Sequence, residues 1–173
     1  MTSDNSRRAK EERILRRAAA ILERRLLAPR GPKIHSSHEA KQFVALRLAH
    51  EQREVILAIW LDADGRVLAV EEAAFGTVHK VVLHPRELVR SALRLNACRL
   101  IIAHNHPGGS ADFSKSDRIL TESLRHALSL IDVEVLDHLL IGERVVSLAE
   151  IEASERAKQP ERAAPPEALH EAP

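Results

Sequence analysis

His104, His106, Ser114 and Asp117 form an H-x-H, seven-residue, S-x-x-D pattern within Ala103-His104-Asn105-His106-Pro107-Gly108-Gly109-Ser110-Ala111-Asp112-Phe113-Ser114-Lys115-Ser116-Asp117. Two imidazoles and one carboxylate suit a divalent ion such as zinc. Three protein ligands leave a fourth tetrahedral position for water, the arrangement of a catalytic zinc site and not of a structural one. Zinc lowers the pKa of bound water from about 15.7 to about 7. The spacing therefore points to a metal-dependent hydrolase with His104, His106 and Asp117 as ligands.

The elements around these residues can bring them together. Arg99-Leu100-Ile101-Ile102-Ala103 is a short apolar run with the pattern of a buried strand. Residues two apart on extended chain point the same way, so both imidazoles can reach one ion. Pro107-Gly108-Gly109 forces a turn and lets backbone approach the site. The apolar positions Ile119, Leu120, Leu124, Ala127, Leu128 and Ile131 then predict a helix over 115–131 with Asp117 in its first turn. A plainer reading stands beside this one. Ser114-x-x-Asp117 also matches a helix capping box, in which both residues serve as punctuation.

These residues and their flanks resemble the JAMM (MPN+) metalloproteases, and in particular their bacterial RadC-like branch. The resemblance rests on the H-x-H-x7-S-x2-D motif. It is supported by Arg53-Glu54-Val55, Leu61-Asp62, Gly76-Thr77, His84-Pro85-Arg86-Glu87, Ala103 to Pro107 and Leu136-Asp137-His138, and it spans about residues 35–150. It implies that His104, His106 and Asp117 hold zinc and that the Ser114 hydroxyl stabilises an oxyanion. It also implies a glutamate acting as general base at the head of an upstream strand. Glu54, before Val55-Ile56-Leu57-Ala58-Ile59-Trp60-Leu61, is the best match; Glu71 and Glu72 are rivals. Two departures fall over the metal loop. The family usually carries Ser-Gly-Asp where this chain has Gly108-Gly109-Ser110, and proline where it has Phe113. Longer members add a helix-hairpin-helix region, and this chain resembles the short form. Asp137 or His138 is a candidate to support a ligating histidine from behind, and a buried structural pair is the competing reading.

The rest of the chain sets the frame. Its 173 residues suit one ordinary domain with an aliphatic core, since hydrophobic residues make up 45% and aromatics 2%. The single cysteine, Cys98, excludes an intramolecular disulfide and reads as a small buried apolar residue. No apolar run is long enough to span a membrane, and the charged N-terminus has no signal-type core, so the cytoplasm is the expected compartment.

Net charge of +1 conceals an uneven distribution. Residues 1–33 carry an excess of arginine and lysine, with Ile14, Ala18, Ile21, Leu22 and Leu26 as a narrow apolar stripe. They predict a basic amphipathic helix that docks on the domain, pairs with a second copy, or touches nucleic acid phosphates. No aromatic residue lies there to stack on bases. Residues 34–150 form the expected catalytic domain, and 151–173, rich in alanine and proline, an expected disordered tail.

Between the ends, helices are expected near 36–50, 85–96 and 115–131. Strands are expected at 54–61, 66–72, 77–83, 99–103, 133–141 and 144–148, the first two joined by the Asp62-Ala63-Asp64-Gly65 turn. Hairpins interrupted by helices give an α/β fold of the α+β type, a mostly antiparallel mixed sheet flanked by helices. The resemblance makes this the JAB/MPN, cytidine-deaminase-like architecture. Three functions follow as expectations. The first is zinc-dependent hydrolysis of a peptide or isopeptide bond. The others are a DNA-associated role, which only the family's repair label and the basic arm favour, and a metal-binding scaffold without turnover.

Overall fold

A computed structural model describes residues 2–26, 33–34, 36–48, 50–75 and 83–158. The strand expected near 77–83, save Leu83, and residues 159–173 of the expected tail lie outside them.

Among the described residues the elements run α1 (Thr2–Leu26), α2 (Ser37–Leu48), β1 (Val55–Leu61), β2 (Val67–Phe75), α3 (Pro85–Leu95), β3 (Arg99–Asn105), α4 (Lys115–Ser129), β4 (Glu134–Ile141), β5 (Val145–Ser147) and α5 (Leu148–Lys158). The strands form one mixed sheet in the order β2-β1-β3-β4-β5. Every neighbouring pair is antiparallel except β3–β4, which α4 connects as a parallel crossover.

The apolar runs explain the layering. Each residue of β1 is buried, because this interior strand is covered on both faces. Val55, Leu57, Ile59 and Leu61 face one way and meet Phe43, Val44 and Leu48 of α2. Ile56, Ala58 and Trp60 face the other and meet Leu88 and Ala92 of α3 and Leu124 and Leu128 of α4. β3 continues the alternation, with Ile101 and Ala103 on the α2 side and Leu100 and Ile102 on the α3/α4 side. The β1–β2 hairpin closes where Asp62 Oδ1 accepts from the backbone N–H groups of Asp64 and Arg66. Gly65 there has φ +82°, which suits glycine.

Three features differ from the sequence reading. The docked face of α1 runs through buried Ala19 and half-buried Leu22. The stripe residues Ile14 and Ile21 are exposed, at 57% and 41%. Cys98 is only half-buried. Residues 151–158, expected to be disordered, complete α5. This helix starts at buried Leu148, and Ser147 Oγ accepts from the Glu150 N–H at its head. Its carboxylates then pair with neighbouring elements, Glu150 with Lys41 at 2.6 Å and Glu152 with Arg125 at 2.9 Å. Helix held by ion pairs and not by a stripe leaves no apolar period to read. No helix among the described residues is long and apolar enough to cross a membrane.

If α5 belongs to the domain, Leu148→Ala should destabilise the protein by about 2–5 kcal/mol, as buried leucine truncations do. Glu150→Ala, which removes an exposed ion pair, should cost less than about 1 kcal/mol. Urea denaturation measures both.

Candidate metal centre

β3 delivers the first donor. Its alternation sends His104 toward α4, where the ring is 1% exposed. His106, two residues on, turns to the same side just past the strand end, and the two Nε2 atoms lie 3.2 Å apart. Asp117 reaches them from the first turn of α4, its Oδ2 being 3.6 Å from His104 Nε2 and 3.8 Å from His106 Nε2. Tetrahedral bonds of about 2.0–2.1 Å place ligand atoms about 3.3–3.4 Å apart. The three spacings fit one ion. Glu54, just before β1, completes a group of four whose donor atoms all lie within 4.8 Å of one another.

Glu54 is held there by a residue that the sequence reading passed over. Asn105, between the two histidines, points to the opposite face of the sheet. Its Oδ1 accepts from the Val55 N–H at 2.9 Å, and its Nδ2 donates to the carbonyls of Arg53 and Glu51. The side chain thus ties down the backbone on both sides of Glu54. The rival glutamates are engaged elsewhere. Glu71 accepts from Trp60 Nε1 and pairs with Arg94, and Glu72 pairs with Arg47.

Both imidazoles have their second nitrogen occupied. His106 Nδ1 lies 3.2 Å from the Ser110 carbonyl, which only an N–H can satisfy, so Nε2 keeps its lone pair. That carbonyl is positioned in turn by the β4–β5 turn. The His106 N–H donates to Ile141 O, the Glu143 N–H donates to Gly109 O, and Gly142 packs against Ser110. Behind His104, Nδ1 lies 2.7 Å from His138 Nε2. Burial, with His104 beside it, pushes His138 well below the usual histidine range and keeps it neutral. Of the two candidates at 137 and 138, then, His138 touches a metal-facing histidine. Asp137 instead accepts from Ser147 Oγ and the Ala149 N–H at the start of α5. Burial raises its carboxyl against those bonds.

Ser114 forms the capping box that the spacing allowed. Its Oγ accepts from the Asp117 N–H, and its own N–H and hydroxyl both donate to Asp117 Oδ2, at 2.8 and 2.7 Å. Burial opposes charge on Asp117, but the His104 ring and these Ser114 bonds win and hold the carboxyl well below its usual range. It is therefore an anion at neutral pH, ready for a cation. An apolar cleft of about 440 Å³ between α2, β4 and α5 contains none of the four donors.

The RadC-like JAB domain model matches residues 34–154. The chain belongs to the RadC-like JAB domain family. A UPF0758 protein of Vibrio cholerae is 39% identical over 145 residues, covering 84% of this chain and 90% of that protein. UPF0758 proteins of Thioalkalivibrio sulfidiphilus and Methylibium petroleiphilum are 46% and 45% identical over 70% and 76% of this chain. The chain spans only 54% and 62% of those two proteins. The matched JAB segment contains all four donors, together with Asn105, His138 and Gly142.

Gly142 generates a sharp expectation. A Cβ there would lie 2.2 Å from the Ser110 carbonyl oxygen, a backbone atom with little room to yield. Gly142→Ala should therefore displace the carbonyl that orients His106, cost about 1–3 kcal/mol as overpacking does, and lower metal retention. Gly108→Ala, with nothing within 4 Å, should do neither. Thermal melts and elemental analysis of both variants check this.

Proposed function

We propose that this protein is a zinc-dependent hydrolase of the JAMM type, cleaving an amide bond in a peptide or an isopeptide-linked protein. The observation that carries the reading is the convergence of His104, His106 and Asp117 at tetrahedral spacings with Glu54 alongside. The donor set favours zinc on ligand type, two neutral imidazoles and one carboxylate.

Bound zinc would supply a Lewis acid for the substrate carbonyl and lower the pKa of the attacking water. His104 Nε2, His106 Nε2 and Asp117 would hold the ion. Glu54, half-buried and close to the ligands, would take the water proton and return it to the leaving amine. Ser114 stands exposed at the rim. With Asp117 holding a cation, the Ser114 hydroxyl, which otherwise donates to that carboxylate, would be free to donate to the oxyanion. A scaffold reading has one feature in its favour. If Glu54 bound the ion as a fourth ligand, the site would be closed like a structural zinc site.

Glu54→Gln separates the two. As a base, Glu54 can be replaced with zinc still bound and turnover lowered by about 10²-fold or more. As a ligand, its replacement releases the ion. His104→Ala, His106→Ala and Asp117→Ala should each strip zinc, whereas Glu71→Gln and Glu72→Gln should leave both zinc and turnover near wild type. Elemental analysis and cleavage of a peptide library, with and without chelator, provide the readouts. Full zinc in the double histidine variant would remove the site assignment.

A further inference from the structure

Three buried side chains behind His104 form a continuous hydrogen-bond chain. His104 Nδ1 lies 2.7 Å from His138 Nε2, and His138 Nδ1 lies 2.6 Å from Thr121 Oγ1. Thr121 Oγ1 lies 2.8 Å from the backbone carbonyl of Asp117. The three residues are 1%, 1% and 0% exposed. Phe113 packs its ring across both imidazoles, centroid distances 5.8 Å to His104 and 5.1 Å to His138. No buried side-chain polar atom among the described residues is left without a partner.

We propose that Thr121 and His138 are positioning residues that lock His104 in its Nδ1–H tautomer and so aim the Nε2 lone pair at the Glu54, His106 and Asp117 cluster. The inference rests on the metal-binding part of the reading above.

The polarity follows from counting protons. The Asp117 carbonyl can only accept, and the Thr121 hydroxyl has one proton to give. With that proton on the carbonyl, Thr121 Oγ1 must accept from His138 Nδ1–H. His138 Nε2 is left to accept from His104 Nδ1–H, 2.7 Å away, when a metal takes the His104 Nε2 lone pair. Reversing the chain puts a proton on His104 Nε2, where it blocks a metal. It also leaves Thr121 Oγ1 and the Asp117 carbonyl oxygen 2.8 Å apart with no proton between them, lone pair against lone pair. With a metal at the cluster, which also separates the His104 and His106 Nε2 lone pairs 3.2 Å apart, this polarity satisfies every group in the chain. The chain begins on one proposed metal ligand, His104, and ends on the backbone of another, Asp117, so β3, β4 and α4 are held in register around the site.

The test starts with unaltered protein. ¹⁵N NMR of the imidazoles in zinc-loaded protein should show both His104 and His138 protonated at Nδ1. A zinc-loaded His138 protonated at Nε2 would overturn the proposal. The variant arm uses Thr121→Val, which keeps the shape and removes the hydroxyl, with Thr121→Ser as the rescue. By competition with a chromophoric chelator, Thr121→Val should bind zinc about 10–100-fold more weakly, the usual effect of losing support behind a ligating histidine. Thr121→Ser should bind as wild type does. Wild-type zinc affinity in a folded Thr121→Val protein would also overturn it. Tautomers and zinc affinity are read without substrate, so this result stands apart from whether the protein hydrolyses anything.

Discussion

Strand alternation at the end of β3 sends His104 to one face of the sheet and Asn105 to the other, and both sides of the candidate centre depend on that split. His104 goes to the α4 side, where His138 and Asp117 meet it. Asn105 goes to the α2 side and fastens the segment from Glu51 to Val55. A slip of one residue would exchange these destinations and leave a donor on the wrong face. The register is fixed by the burial of β1 and β3 on both sides, so the aliphatic core and the polar site share one constraint. A core made of Leu, Ile and Val in interlocking rows is well suited to hold register, since any slip exchanges its two packed faces.

The polar groups show the same economy. Two carboxylates and two imidazoles within a few ångströms are unfavourable neighbours unless a cation or hydrogen bonds compensate them. Here three of the four donors are constrained from behind. Ser110 O faces His106 Nδ1, His138 faces His104 Nδ1, and Ser114 neutralises part of Asp117. Such preorganisation reduces the rearrangement needed on metal binding, and it explains why loop, strand and helix each contribute a supporting residue.

Much of this was legible in the sequence where the signal was local. The H-x-H pair after an apolar run, the Asp62 to Gly65 turn and the capping box are each set by residues a few positions apart. The supports were less legible because their partners are distant in the chain. A mid-helix threonine looks ordinary until a histidine seventeen residues on is laid beside it. Asn105 reads as filler between two ligands, and Gly142 as a plain turn, until the facing backbone is known. Of the apolar stripe expected on α1, Leu22 docks, beside Ala19, while Ile14 and Ile21 stay exposed. Exposed Ile14 and Ile21 outweighed Ala19 by hydrophobicity, whereas the close approach to α2 selected the small residue. Helix α5 was missed for the opposite reason, since ion pairs to Lys41 and Arg125 take the place of a stripe.

The departures from the family's loop pattern are tolerable for reasons the geometry supplies. At 109 the chain keeps the glycine of Ser-Gly-Asp, and there φ is +84°, a conformation that side chains resist. Position 108 faces open space, so serine or glycine serves equally. Position 110 contributes its carbonyl to His106, which any residue offers, and an acceptor to the Asp112 N–H, which Ser110 Oγ provides at 3.3 Å and an aspartate would also provide. Phe113, in place of proline, lies edge-on to the His104 and His138 rings and covers the hydrogen bond between them. A proline ring would cover less. The loop thus departs where only backbone or open space is used, and where it carries more bulk it shields the His104–His138 hydrogen bond.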